Sequence, residues 1–162
     1  MKQLKRERGQ SLVELGISML ILLYLLAGAA EFGVLFFQFV QLRDAAQEGA
    51  LFGSTSPTSY SSIEARARGA SNSPVNLADA SKVDVSIHII DTATSTTTLV
   101  WKNGAAQGTS LSTCENNGIR VTVDFKHQIF MPFMAPMLGR SSDPTIPLSA
   151  SVTDTILSPI CP

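Results

Sequence analysis

The chain has 162 residues, of which 44% are hydrophobic and only 15% are charged, against roughly one quarter charged in typical soluble proteins. Its first nine residues carry four basic side chains and one acid, and the remainder has 8 positive and 12 negative residues, a net charge of −4. This balance argues against a nucleic-acid-binding protein. It marks the basic cluster as a topology signal that stays on the cytoplasmic side of a membrane.

The first predicted element is a long hydrophobic helix. Residues 15–30 contain no charged side chain, and these sixteen residues would form a helix of about 24 Å. The apolar character resumes after Glu31, so the whole stretch reaches the roughly 30 Å of a hydrocarbon core. Because the first proline of the chain is Pro57, we predict one helix over residues 10–53, with a transmembrane segment at about residues 15–42.

The second half of this helix is predicted to be amphipathic. A helical projection groups apolar residues on one side and polar residues toward water. The apolar group is Phe36, Phe37 and Val40, and the polar group is Arg43, Asp44, Gln47 and Glu48.

Three interpretations of the N-terminus compete. The first is an uncleaved signal anchor. The second is a secretory signal peptide, for which Ala27-Gly28-Ala29 supplies a small-residue cleavage pattern. The third is a basic leader, residues 1–9, that ends at Gly9 and is removed before Gln10, so that Glu14 becomes the fifth residue of the mature chain.

The position of Glu14 favours the third interpretation over the first. A carboxylate at the start of a membrane helix is costly unless it is paired, and a free N-terminal ammonium on a neighbouring subunit would pair it. A mature chain beginning at Ala30 would also expose a run of phenylalanines on its leading helix. Glu31 is expected near one membrane interface or facing a partner.

Residues 54–162 are predicted to form an extracytoplasmic α+β domain. Residues 62–70 suit a short helix, and strands are indicated by alternating apolar residues. The strand segments are 83–89, 97–101, 119–125 and, more weakly, 148–152. We therefore expect three or four antiparallel strands packed against the amphipathic half of the long helix.

Two further features of this domain have alternative interpretations. Cys114 and Cys161 are predicted to form a disulfide, which an exported domain would keep and which would stabilise it by about 2–4 kcal/mol; two unpaired thiols are the alternative. Residues 130–138 are apolar and interrupted by two prolines. They suit either a core-filling turn or a contact with a partner subunit or the membrane.

The sequence lacks the motifs of common enzymes. It contains no nucleophile elbow, phosphate-binding loop, zinc-protease motif or Cys/His cluster. His88 and His127 are isolated in the sequence. We expect His88 to face solvent, and a contact of His127 with Asp124 or Asp84 would be structural and not catalytic. The prediction is a protein that is not an enzyme, with no cofactor, metal or small-molecule substrate.

Four segments, in this order, resemble TadE-like proteins, the minor pseudopilins of tight-adherence (Flp-type) pili. They are Arg-Gly-Gln-Ser-Leu-Val-Glu-Leu at residues 8–15, Glu-Phe-Gly at 31–33, the alanine-rich residues 45–50, and the strand, proline-broken turn and strand within 119–153. The resemblance implies a pilin-like fold of helix and sheet. It also implies that a prepilin peptidase cuts between Gly9 and Gln10 and that Glu14 and Glu31 serve subunit assembly.

The resemblance further implies a single-pass protein of the bacterial cytoplasmic (inner) membrane, with its N-terminus in the cytoplasm and its C-terminal domain outside. Its expected partners are other pilins, the pilus assembly machinery, the prepilin peptidase and membrane lipid. It would contribute to pilus biogenesis or adhesion, either within a cell-surface pilus or as a membrane-bound primer. The alternative is a signal-anchored binding module that does not polymerise.

Overall fold

A computed structural model of the chain describes residues 4–108, 113–131, 134–137, 139 and 143–157. The helices are α1 (Leu4–Thr55), α2 (Tyr60–Gly69) and α3 (Met134–Met137). The strands are β1 (Val83–Asp91), β2 (Thr96–Lys102), β3 (Ala105–Ala106), β4 (Gly118–Gln128) and β5 (Thr145–Thr155). All strands pair antiparallel in one sheet, in the order β3-β2-β1-β4-β5. The α+β class and the long N-terminal helix are thus confirmed.

The predicted number of strands was slightly wrong, because the described residues form five. The additional strand, β3, has two residues that pair with Trp101 and Lys102 across a tight turn. Asn103 and Gly104 form that turn with φ angles of 45° and 80°, the left-handed conformation that an Asn-Gly hairpin requires. Two alanines carry no alternation of polarity, so the sequence contains no periodic signal for this strand.

The residues fall into two compact units. One, here called the helix unit, comprises Met1–Leu35 and Ile129–Pro144, the second part being the connection between β4 and β5. The other, the sheet unit, comprises Phe36–Gln128 and Thr145–Pro162. The sheet unit therefore includes the second half of α1 together with every strand.

The core of the sheet unit lies between α1, α2 and one face of the sheet. Alternate residues of β1 and β4 point inward and pair across the strands, as in Val85 with Val123 and Ile87 with Val121. Ile63 and Ala67 of α2 are buried in the same cluster. The two central strands supply the large side chains, as their alternation predicts.

The second half of α1 contacts this core through small residues. Ala45, Ala46 and Ala50 are fully buried, whereas the exposed fractions of Phe36 and Phe37 are 61% and 60%. A Cβ atom added at Gly53 would lie 2.6 Å from Ile119 Cδ1, so a larger side chain at that position requires Ile119 to move. Leu42 is a large residue of the same half of α1 that is fully buried. The predicted polar side is exposed, but the predicted aromatic side is not the packing face.

Candidate functional site

The predicted processing and assembly residues near the N-terminus lie on an open helix surface. Gly9, Gln10 and Glu14 are exposed on α1, and a Cβ atom at Gly9 would meet nothing within 4 Å. Among the described residues, one helix is long and apolar enough to cross a membrane, Gly9–Thr55. Its first half exposes large apolar side chains on all sides, including Leu12, Leu15, Ile17, Leu20, Leu22, Leu25 and Leu26. Such a surface is stable in lipid and unfavourable in water.

Glu31 is placed differently from Glu14. Its exposed fraction is 6%, and its Oε1 accepts a hydrogen bond of 3.1 Å from the backbone N–H of Phe130. An ionised acceptor strengthens such a bond, and the bond partly offsets the cost of burying the carboxylate. The structure does not bring Glu14 and Glu31 together: they lie 17 residues apart on α1, about 25 Å along the helix.

The segment that covers Glu31 is the connection between β4 and β5. Ile129 and Met131 are buried, with exposed fractions of 9% and 8%, whereas Phe130 between them is 75% exposed. Gly28 and Glu31 lie one turn apart on α1, and the Met131 Sδ is 3.9 Å from the position a Cβ would take at Gly28. Residues 130–138 are therefore only partly core-filling in the described positions, because Phe130 points outward.

The predicted disulfide residues are only partly within the description. Cys114 is half-buried in the segment before β4, and Cys161 lies outside the described residues. The pairing of the two cysteines therefore stays a prediction.

Two glutamines of α1 form contacts that the sequence reasoning missed. The Gln38 Oε1 lies 2.7 Å from Nδ1 of His127, which is 1% exposed, so β4 contacts α1 through a pair that was not predicted. Gln41 forms a pair of hydrogen bonds with the backbone of Val75, at 2.9 and 3.2 Å. The sequence carries a signal for these contacts, because two glutamines three residues apart on one helix face interrupt an otherwise apolar run.

Glu64 of α2 organises a second polar cluster within the sheet unit. Its Oε1 accepts a bond of 2.6 Å from Arg68 Nε, and its Oε2 accepts bonds from Trp101 Nε1 at 2.6 Å and Gly104 N at 2.8 Å. Arg68 also donates to the carbonyl oxygens of Leu77 and Val83. The cluster ties α2 to the β2–β3 turn and to the start of β1.

The electrostatics of Glu64 follow from these contacts. Burial alone would raise the pKa of the carboxyl group, but the hydrogen bonds from Trp101, Arg68 and Gly104 and the charge of Arg68 together lower it below its ordinary value. Glu64 is therefore held ionised by structural partners. The cluster joins elements of the fold and leaves no carboxylate oxygen open to a substrate.

His88 of β1 was expected to face solvent and is half-buried. Its Nδ1 is buried without a hydrogen-bond partner among the described residues. Burial lowers the pKa of the imidazole, the nearby Arg120 lowers it further, and Asp124 opposes the shift. The alternation of β1 is intact, with Val85, Ile87 and Ile89 buried, so His88 lies on the opposite face of the sheet. It is partly covered there between its cross-strand neighbours Leu99 and Arg120.

Comparison with known families aligns residues 9–51 with the family described as TadE-like protein. The match covers 43 of the 162 residues, and this segment is TadE-like. The match begins at Gly9 and runs through the exposed apolar helix to the small residues that contact the sheet. No curated protein and no solved structure gives a significant match to the chain.

The family match and the single apolar helix agree with each other. A TadE-like segment associates the chain with tight-adherence pilus assembly, and the helix fits a membrane-anchored component of that process. Among the described residues, no group of three or more His, Cys, Asp or Glu side chains is arranged to hold a metal ion.

Proposed function

We propose that this TadE-like protein is a minor pseudopilin, or pilus-assembly protein, of a tight-adherence pilus. In this proposal α1 anchors the chain in the bacterial cytoplasmic membrane, with the N-terminus inside the cell and the sheet unit outside. The role is structural and not enzymatic, and its partners are other pilins and the assembly machinery. The observation that carries the proposal is the family match, which starts at Gly9 and covers the exposed apolar helix.

Glu14 supplies the proposed assembly contact. It is an exposed carboxylate at the start of a helix whose neighbouring side chains are apolar, including Val13 and Leu15. In lipid such a group is stabilised by a cation, and a leader cut after Gly9 would give each copy a free ammonium group at Gln10. A pair between Glu14 of one copy and that ammonium of the next would set the axial register between subunits.

Replacing Glu14 tests this contact. We expect Glu14→Ala to insert normally into the membrane, because it removes a charge from an apolar helix, and to reduce piliation or pilus-dependent adhesion by tenfold or more if the pair contributes at least about 1.4 kcal/mol. Glu48→Ala is the matched control, since Glu48 is an exposed acid on the same helix beyond the predicted span. Normal piliation by Glu14→Ala would contradict the proposal.

The N-terminus of the membrane-bound protein separates the remaining alternatives. Intact mass and N-terminal sequencing should give a chain that starts at Gln10 if a prepilin peptidase removes the leader. A start at Ala30 would indicate ordinary secretion, and an intact Met1 would indicate a simple anchor. Either result would favour a binding module that does not polymerise.

A further inference from the structure

We propose that Phe130 is a second membrane contact of this protein, inserted into the outer lipid interface beside α1 and positioned there by Glu31. The inference rests on the proposed membrane anchoring of α1. It adds a lipid-binding residue from the connection between β4 and β5, and this residue lies 99 positions after Glu31 in the sequence.

The position of Glu31 on α1 gives its depth in the membrane. Counting from Leu15, the first residue after Glu14, Glu31 lies about 24 Å along α1, and a hydrocarbon core is about 30 Å thick. If Leu15 marks one boundary of that core, Glu31 is within about one helical turn of the other. The span is then shorter than the predicted residues 15–42, because Gln38 and Leu42 are buried within the sheet unit. The hydrogen bond from the Phe130 N–H to Glu31 fixes the backbone of residue 130 at the same depth.

The burial of its two neighbours gives the direction of the Phe130 side chain. Ile129 and Met131 are buried, so the residue between them points away from the helix, with 75% of its surface exposed. Phe32, the residue that follows Glu31 on α1, is 70% exposed and lies at the same depth. The two aromatic rings thus extend the apolar surface of the helix at the height where aromatic side chains favour the boundary between hydrocarbon and headgroups.

Lipid is the occupant that these observations favour. The Phe130 backbone is bonded to Glu31, which precedes the exposed Phe32 on α1. These residues belong to the helix unit, whose α1 residues expose large apolar side chains. Burying one phenylalanine side chain is enough to hold a docked segment at the interface but not enough to anchor a protein alone. A second copy of the chain is the competing occupant.

Tryptophan fluorescence in vesicles tests the inference. The full chain carries one native tryptophan, Trp101, whose emission is subtracted. Phe130→Trp is reconstituted into phosphatidylethanolamine and phosphatidylglycerol vesicles with or without bromine on the acyl chains, which quenches only tryptophans in contact with lipid. Leu22→Trp reports the membrane span, and Leu51→Trp reports an apolar, 63% exposed position about 30 Å beyond Glu31 on the same helix.

We expect bromine to quench Leu22→Trp and Phe130→Trp to a similar extent and to leave Leu51→Trp unchanged. Quenching of Leu22→Trp without quenching of Phe130→Trp would overturn the lipid contact while leaving the anchored helix intact. Blue-shifted but unquenched emission from Phe130→Trp would assign the surface to a second copy and would also overturn the inference. Failure to quench Leu22→Trp would reject the proposed anchoring together with the contact.

Glu31 variants test its positioning role. Glu31→Gln keeps a side-chain oxygen acceptor, whereas Glu31→Leu removes it at similar size. We expect hydrogen exchange of the Phe130 amide to stay slow in Glu31→Gln and to become tenfold faster or more in Glu31→Leu. Equal exchange in wild type and Glu31→Leu would show that Glu31 does not position this segment, whatever Phe130 contacts.

Discussion

The two halves of α1 show opposite relations between apolar character and burial. In residues 9–35 the large apolar side chains are exposed, and in residues 36–55 the buried residues are mostly alanines, glycines and glutamines. Both halves belong to one continuous helix, so secondary-structure propensity does not explain the contrast. The difference lies in the surroundings: lipid accepts bulky side chains at every position, whereas the face of α1 that packs on the sheet is made mainly of small residues, with Leu42 as a large exception.

The largest expected effect is on the stability of the sheet unit, and it concerns the pair of Glu64 and Arg68. Glu64→Ala removes the partner of Arg68 and leaves a partly buried cation with fewer acceptors. We expect the free energy of unfolding of the sheet unit to fall by about 3–5 kcal/mol. Urea titration of the full chain in detergent, followed by Trp101 fluorescence, measures this change.

Glu48→Ala is the control for that measurement, because Glu48 is exposed on α1. It should change the free energy of unfolding by no more than about 0.5 kcal/mol. Equal losses in Glu64→Ala and Glu48→Ala would mean that the buried cluster does not stabilise the fold.

A smaller effect on stability is expected when a glycine of α1 is replaced by leucine, and it should differ between two positions of the helix. Gly53→Leu forces a side chain into Ile119 and Ile63 and should destabilise the sheet unit by about 1–3 kcal/mol, even though leucine favours a helix over glycine by somewhat less than about 1 kcal/mol. Gly16→Leu meets nothing within 4 Å and should leave the stability of the sheet unit unchanged. The same denaturation experiment applies, and destabilisation by both variants would break the contrast between the halves.

The smallest expected effect is the pH dependence of the sheet unit. The pKa of His88 is lowered below its ordinary value of 6.5, so the unfolded chain binds a proton there more readily and stability falls as pH decreases from 6.5. The pKa of Glu64 is lowered below 4.5, so its contribution is complete above pH 4.5 and is lost as pH falls through the lowered value.

Unfolding measured across this range separates the two groups. His88→Gln should flatten the slope between pH 6.5 and 4.5 and retain the loss at lower pH. A slope between those values that is unchanged by His88→Gln would assign it to another group.

Much of this fold could be predicted from local sequence patterns. The charge-free run at residues 15–30 predicted the apolar helix, and the alternation around Val85 and Val121 predicted the central strands with their inward faces. The Asn103-Gly104 pair is a further local signal for its turn, because few other residues adopt that backbone conformation at low cost. These features depend on the nearest residues in the chain.

The features that were missed depend on residues distant in the sequence. Gln38 and His127 are separated by 89 positions, and Glu64 and Trp101 by 37. The packing face of α1 was assigned to its aromatic side because large apolar residues usually form cores, but the face that packs on the sheet is made mainly of alanines and glycines, with Leu42 as a large exception. Periodicity gives the direction of a side chain and not its distance from the opposite element.

The hydrogen bond at Glu31 has a consequence for how the sequence can vary. Its donor is the main-chain N–H of residue 130, so this contact does not depend on the side chain at that position. Any amino acid with a backbone N–H could keep the bond, and proline alone would abolish it. Related chains could therefore change the size or polarity of residue 130 to suit membranes of different lipid content without losing the attachment to the helix.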